Sequence, residues 1–346
     1  MSKTKRIFII GDFKDDSSKS ISLERRHWIK GFIRAGHDVQ RFSYQNILRQ
    51  YSPWGSKLFT DTLAHSKTEK LLLHQIRDYC PDIVMVLIMK DIRPDIIERI
   101  RQIVPHAHLI GRDVDWFPQN NRERTKIAKK MDSIIATNAG PWLQYYKDLG
   151  VRRCAFIPCP CDPDIQRPYP FQPEYQKDII FLGKIIHGKY LQSADPDRAT
   201  LLTRLQTMQN VSMYGANGKD QLFGIRAFCA LSNAKIALSI NAVNTIRLYH
   251  SDRFINSIAC GTLVLSKRVP DTDLLFEDKK HVCYFDAPDE FFELTDWYLK
   301  HDSERKRIAS AGMERAHKEF NCTRIAQLTM DLIERGTYSA DWRYIL

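Results

Sequence analysis

No stretch of this 346-residue chain approaches the roughly 20 consecutive apolar residues that a membrane-spanning helix needs. The apolar run behind the basic N-terminus, residues 7–10, breaks at Gly11-Asp12 and is too short for a signal peptide. A protein kept in the cytoplasm, or one that touches a membrane only from its surface, is therefore expected. Low-complexity tracts and short-period repeats are missing too, which argues against a solenoid or a largely disordered chain. The glycine fingerprint of a dinucleotide-binding dehydrogenase is lacking after the first apolar run, where Gly11-Asp12-Phe13-Lys14 stands in its place. Eight cysteines are present, but Cys154, Cys159 and Cys161 have neither a second pair nor spaced histidines beside them. Most of the eight lie in apolar runs, so reduced, buried thiols are expected and no metal site.

What is present suits a folded enzyme of two domains. Apolar residues make up 43 % and charged residues 27 %, enough for two cores with solvated surfaces. The formal net charge is +11 and it is unevenly spread. Residues 1–160 hold 28 Lys and Arg against 17 Asp and Glu, whereas residues 161–346 hold 24 of each. The whole excess thus lies in the first half. It predicts either an anionic partner for that half or solvated helix faces that keep the protein soluble.

The first half alternates short apolar runs with helical periodicity. Strands are expected at 5–13, 38–44, 83–89, 108–114, 133–137 and 153–157. Helices are expected between them at 22–36, 69–80, 94–104, 121–131 and 142–149. The continuous apolar run 83–89 reads as a strand buried on both faces. Six prolines between Pro158 and Pro173 interrupt the pattern and read as a stiff connector. The alternation then resumes, with strands at 178–182, 211–214, 236–240, 262–265 and 281–285. Three helices close it at 290–300, 304–319, with Ser303 as its cap, and 324–334. The expected fold is α/β, two doubly wound Rossmann-like domains facing across a cleft. The expected division is a basic domain over 1–158, a proline-rich linker over 159–176, a second domain over 177–336 and a tail over 337–346.

Open parallel sheets bind ligands beyond the carboxyl ends of their strands, which selects the residues to consider. In the second half these are Gly183, Lys184, Tyr214, Gly215, Asn241 and the loop to Ser251. Lys184, Lys189, Arg247 and Arg253 are cations able to meet a diphosphate, and a helix starting near Ser251 offers free N–H groups. In the first half, Asp12, Asp113 and Asp115 follow strand ends. Any of them suits a general base for a hydroxyl, or simply a turn or cap. His27, near the apolar face of a helix, reads as packed structure. The basic residues Arg25, Arg26, Lys30 and Arg112 suit an anionic acceptor.

From Arg253 onward the chain reads R-F-I-N-S-I-A-C-G-T-L-V-L-S, which resembles the C-terminal signature of group 1 glycosyltransferases. The branch it looks most like is the spore-maturation CgeB-like glycosyltransferases. Pro270-Asp271, Leu275-Phe276-Glu277, the run 302–312, the D-P-D-I-Q-R-P segment 162–168 and the D-V-D-W-F segment 113–117 all resemble that branch. The similarity covers about residues 105–330.

The resemblance implies a GT-B fold, a nucleoside-diphosphate sugar as co-substrate (a UDP-sugar favoured) and no metal or other cofactor. It implies that Tyr214 and Gly215 lie near the base, and Arg247, Ser251 and Arg253 near the diphosphate. One departure stands out. The paired glutamates of that family, eight positions apart, fall on Leu248 and Asn256. Asn256 still donates and accepts hydrogen bonds, while Leu248 does neither. Two kinds of activity follow: sugar transfer to an anionic acceptor, or nucleotide-sugar binding without transfer. The acceptor would be a hydroxymethylated DNA base, as in phage DNA modification, or an envelope glycan at a membrane surface.

Overall fold

The computed structural model describes residues 3–13, 23–55, 62–89, 92–114, 122–183, 195–215 and 221–346. The chain divides into two compact units, one of Met1–Ile157 with Cys322–Leu346 and one of Pro158–Asn321. No helix among the described residues is long and apolar enough to cross a membrane.

The first unit is built on six parallel strands: β1 (Arg6–Gly11), β2 (Asp38–Ser43), β3 (Ile83–Val86), β4 (His108–Asp113), β5 (Ser133–Ala136) and β6 (Arg153–Phe156). Their order is β2-β1-β3-β4-β5-β6. β3 and β5 are buried along their whole length, which is why 83–89 reads as an unbroken apolar run; β5 opens with a buried Ser133. The helices of this unit are α1 (Leu23–Arg34), α2 (Tyr44–Tyr51), α3 (Thr62–Tyr79), α4 (Pro94–Ile103), α5 (Arg122–Ala128), α6 (Pro141–Asp148) and, from the end of the chain, α12 (Cys322–Arg335). α1 packs on α12, and α3 packs on α4.

Three expectations for this unit are corrected. Residues 44–51 form α2, so the strand expected over 38–44 ends at Ser43. Tyr44 and Leu48 recur at helical spacing and are both buried. α3 begins at Thr62 rather than 69, because Ala64 and Thr68 are buried on the same stripe as Leu72 and Ile76. α12, expected in the second domain, belongs to the first unit. The last residues follow it there. Leu346 exchanges two backbone hydrogen bonds with Cys154, and Phe156 N–H donates to the Tyr344 carbonyl. This covers the open edge of β6, a useful safeguard against edge pairing with another chain.

The second unit repeats the plan with β7 (Lys177–Leu182), β8 (Val211–Tyr214), β9 (Ala234–Ser239), β10 (Leu263–Lys267) and β11 (Cys283–Phe285), all parallel, in the order β11-β10-β9-β7-β8. Counted from its own first strand this is 2-1-3-4-5, the same winding as the first five strands of the other sheet. Its helices are α7 (Pro196–Gln206), α8 (Gly224–Asn233), α9 (Asp252–Ala259), α10 (Pro288–Lys300) and α11 (Asp302–Glu319). α11 starts at Asp302, so Ser303 lies inside it; the Asp302 carboxylate pairs with Arg305 and Lys306 in the first turn.

The proline-rich segment is no free connector. Asp162 and Gln166 are buried within this unit, and the Cys161 N–H donates to the Phe320 carbonyl at 2.8 Å. Prolines remove N–H donors that would need partners, which suits an irregular segment laid onto a core.

Candidate functional site

In a sheet wound 2-1-3 the connections leave the first and third strands in opposite directions, opening a crevice at their carboxyl ends. In the second unit that point lies between β7 and β9. Arg253, in the first turn of α9, spans it. Its guanidinium donates to the carbonyl of Leu182, the last residue of β7, and to the Ile240 carbonyl just beyond β9, the latter at 2.8 Å. Arg198 of α7 donates to the same Ile240 carbonyl at 2.7 Å. Both guanidinium groups lie over the Phe181 ring, at 4.8 Å and 5.6 Å from its centroid. Burial pushes the Arg253 pKa down to about 10, and the like charge of Arg198 adds to the shift. The group remains a cation at neutral pH, and among the described residues no carboxylate forms an ion pair with it.

The surrounding backbone is shaped for close approach. A side chain on Gly183 would meet the Phe181 ring at 2.8 Å and Arg253 Nη2 at 2.9 Å. Gly215 has φ of +82°, and a Cβ there would lie 2.9 Å from the Gly183 carbonyl. The Gly183 N–H donates to the Tyr214 carbonyl, which joins the two strand ends. Asn241 orders the loop that leads to α9. Its Oδ1 accepts from the Ser251 N–H at 3.3 Å and its Nδ2 donates to the Tyr249 carbonyl at 3.2 Å. Asn244 donates to Asp195, whose other oxygen caps the start of α7. The Ser251 hydroxyl oxygen, at the N-terminal end of α9, is buried without a hydrogen-bond partner among the described residues.

The structure therefore brings together Gly183, Tyr214, Gly215, Asn241, Ser251 and Arg253. Arg247 stands apart in an ion pair with Asp271, both half-exposed. Leu248 is buried with φ of 56°. The Asn256 amide oxygen accepts from Gln166 Nε2. Lys184 and Lys189 lie outside the described residues. Sequence reasoning missed Arg198 and Asp195, and covered Asn244 only as part of the loop that follows Asn241. The only available signal was a proline-led helix start after a strand, with Asp195 as its cap.

In the first unit the corresponding crevice lies between β1 and β3, where Asp12 follows β1. Asp12 is 8 % exposed, its carbonyl accepts from Arg25 Nη1 at 2.8 Å, and its Oδ1 is buried without a partner among the described residues. Asp113, at the end of β4, is spent on structure. Arg124 Nη1 donates to both of its oxygens, at 3.0 and 3.2 Å, and the Tyr146 hydroxyl donates to Oδ2. Arg112 is buried too, ion-paired to Glu24 at 2.7 Å with its guanidinium 5.1 Å from the Trp28 ring centroid. A cation so enclosed is no surface contact for an acceptor. Arg26 is exposed on α1, and Arg25 and Lys30 are half-buried there. His27 is buried. Asp115 lies outside the described residues. Among those residues no three of His, Cys, Asp and Glu gather as metal ligands would.

A family model described as "Glycosyl transferase-like" matches residues 198–331. That segment is similar to glycosyltransferases. It contains Arg198, Arg253 and the whole loop ordered by Asn241. Solved structures extend the likeness of fold to nearly the whole chain. Sucrose-phosphate synthase from Thermosynechococcus elongatus superposes with a TM-score of 0.64 at 13 % identity, over 96 % of this chain and 98 % of that one. HepE from Anabaena in complex with UDP-glucose gives 0.59 at 12 % identity, over 96 % and 100 %. A glycosyltransferase from Rickettsia africae gives 0.58 at 11 %, over 96 % and 98 %. The two parallel-sheet units are thus those of a GT-B fold. No curated protein matches the chain in sequence.

Proposed function

We propose that this protein transfers a sugar from a nucleoside-diphosphate sugar to an acceptor hydroxyl, using no metal or other cofactor. The observation that carries the reading is the Arg253 guanidinium at the β7–β9 crevice, a cation that forms no ion pair with a carboxylate among the described residues. A diphosphate supplies the missing charge in a form that a planar guanidinium matches. The unpartnered Ser251 hydroxyl and the N-terminal end of α9 suit the same phosphates. Tyr214 and Gly215 border the space for a base, and the UDP-glucose held by HepE favours uridine.

If displacement is direct, the acceptor hydroxyl must lose its proton as the bond forms. Asp12, with a free carboxylate oxygen, is the base best supported among the described residues, and Asp115 stays a candidate beside it. The charge excess of residues 1–160 favours an anionic acceptor, either a hydroxymethylated DNA base or an envelope glycan. The motifs at 162–168 and 302–312 favour the CgeB-like branch.

One specific observation favours a second reading, donor binding without transfer. The positions of the paired glutamates are occupied by a buried leucine and by an asparagine whose oxygen is already engaged.

The test is nucleoside diphosphate release from UDP-, GDP-, ADP- and CDP-sugars, with and without hydroxymethylated DNA. Release from a UDP-sugar is expected, and a rise on adding DNA would identify the acceptor. Asp12→Asn should lower transfer by about 100-fold or more while donor affinity holds. Binding of a donor with no release under any condition would sink the transfer reading and leave the second.

A further inference from the structure

Far from the crevice residues in sequence, α3 and α4 enclose a cavity of about 450 Å³ on the first unit. Its lining includes Lys70, His74 and Arg77 of α3 and Arg99 of α4, with Ser66 and Gln102 as neutral polar groups. No carboxylate lines it. Lys70 and Arg77 have no ion-pair partner among the described residues. Arg99 reaches only Glu69, at 3.8 Å, and Glu69 is already held by Arg93 and by the Tyr44 hydroxyl. Two cations, Lys70 and Arg77, therefore meet on a concave surface without counter-charge among the described residues, and Arg99 beside them shares its one carboxylate with Arg93. Asp78, the exposed acid next to Arg77, is not part of the lining.

The same stripe of α3 continues into an apolar edge. Leu63, Lys67, Lys70, His74 and Arg77 follow one another at spacings of three and four, so they share one helix face. Leu63 is 60 % exposed, and Lys67 lies 5.9 Å from the Tyr51 ring centroid. Tyr51 is 41 % exposed and Trp54 86 %. Trp54 also holds φ of 56°, a conformation a bulky side chain rarely adopts. Exposed tryptophan, tyrosine and leucine beside a row of cations is the composition of a surface that rests at the level of lipid headgroups.

We propose that the first unit docks on an anionic phospholipid bilayer through this face. Trp54, Tyr51 and Leu63 enter the headgroup layer, and a lipid phosphate occupies the cavity between Lys70, Arg77 and Arg99. Charge complementarity and the apolar edge favour a bilayer over a nucleic acid, which has no acyl region for Leu63. The docking is independent of the sugar-transfer reading.

Flotation of the full chain with vesicles of phosphatidylcholine, with and without phosphatidylglycerol, tests it. Flotation with the anionic vesicles alone is expected, falling as salt is raised. The Lys70→Glu/Arg77→Glu pair should weaken it by about tenfold or more, with unchanged melting temperature and unchanged nucleotide release. If that pair lowers the melting temperature, Lys70→Gln/Arg77→Gln replaces it, and the same direction of loss is expected. Brominated acyl chains should quench the wild-type tryptophan fluorescence and quench Trp54→Ser much less. Equal flotation of wild-type and charge-reversed chains would overturn the proposal. So would uptake of inorganic pyrophosphate in the cavity, or binding of duplex DNA, by a chain that does not float. Loss of sugar transfer with flotation intact would count against the enzyme reading only.

Discussion

Arg253 holds its charge where the free protein gains little from it. Protein atoms have replaced part of the water around the guanidinium, its hydrogen-bond partners are carbonyls, and Arg198, on the same Ile240 carbonyl, repels it. Such a group is stabilised mainly when an anion arrives. Arg253→Met should therefore weaken UDP binding by about 10- to 100-fold, the worth of one charged hydrogen-bonded contact. It should leave the melting temperature of the free protein unchanged or higher. The rise in melting temperature that UDP gives the wild-type chain should vanish. Calorimetry and thermal scans of the two chains decide it, and a variant that still binds UDP at wild-type affinity removes Arg253 from the donor site. Arg253 itself was legible, since a cation in a helix start after a strand end is a local pattern. The state of Asp113 was not. Its oxygens are engaged by Arg124 and Tyr146, 11 and 33 residues further on, and no local pattern reports that.

Elements were legible where one face alone decides them. The buried strand β3 is an unbroken apolar run, and α4 begins at a proline. The ownership of α12 was not legible, because helical periodicity shows that a face is buried but not against which sheet. The contact that fixes it is Gly31 of α1. A Cβ there would overlap the Cys322 carbonyl oxygen at the start of α12. Backbone cannot yield as a flexible side chain does, so the two helices approach as closely as they do only with glycine. Gly31→Ala should lower stability by about 1–3 kcal/mol, read as a lower midpoint in urea denaturation. An unchanged midpoint would show that α1 and α12 can separate without loss. α2 escaped notice for a related reason. Its eight residues carry only about two turns of pattern, and Tyr44 reads equally well as the last residue of β2.

At the scale of the whole chain, the two units differ in how they are made. The first needs both ends of the sequence, since α12 packs on α1 and Leu346 pairs with Cys154 beside β6. The second is one continuous stretch, Pro158–Asn321, with its own core around Phe181, Leu238, Leu265 and Phe285. It holds every described residue of the donor crevice, from Gly183 to Asn256. A chain limited to 158–321 should therefore fold cooperatively and bind UDP with an affinity within about tenfold of the full protein. A chain limited to 1–321 should lose the first unit, because α1 and the β6 edge are then uncovered. Proteolysis and calorimetry on the two truncations separate the cases. If 158–321 folds but does not bind UDP, the crevice at β7 and β9 is not sufficient for the donor.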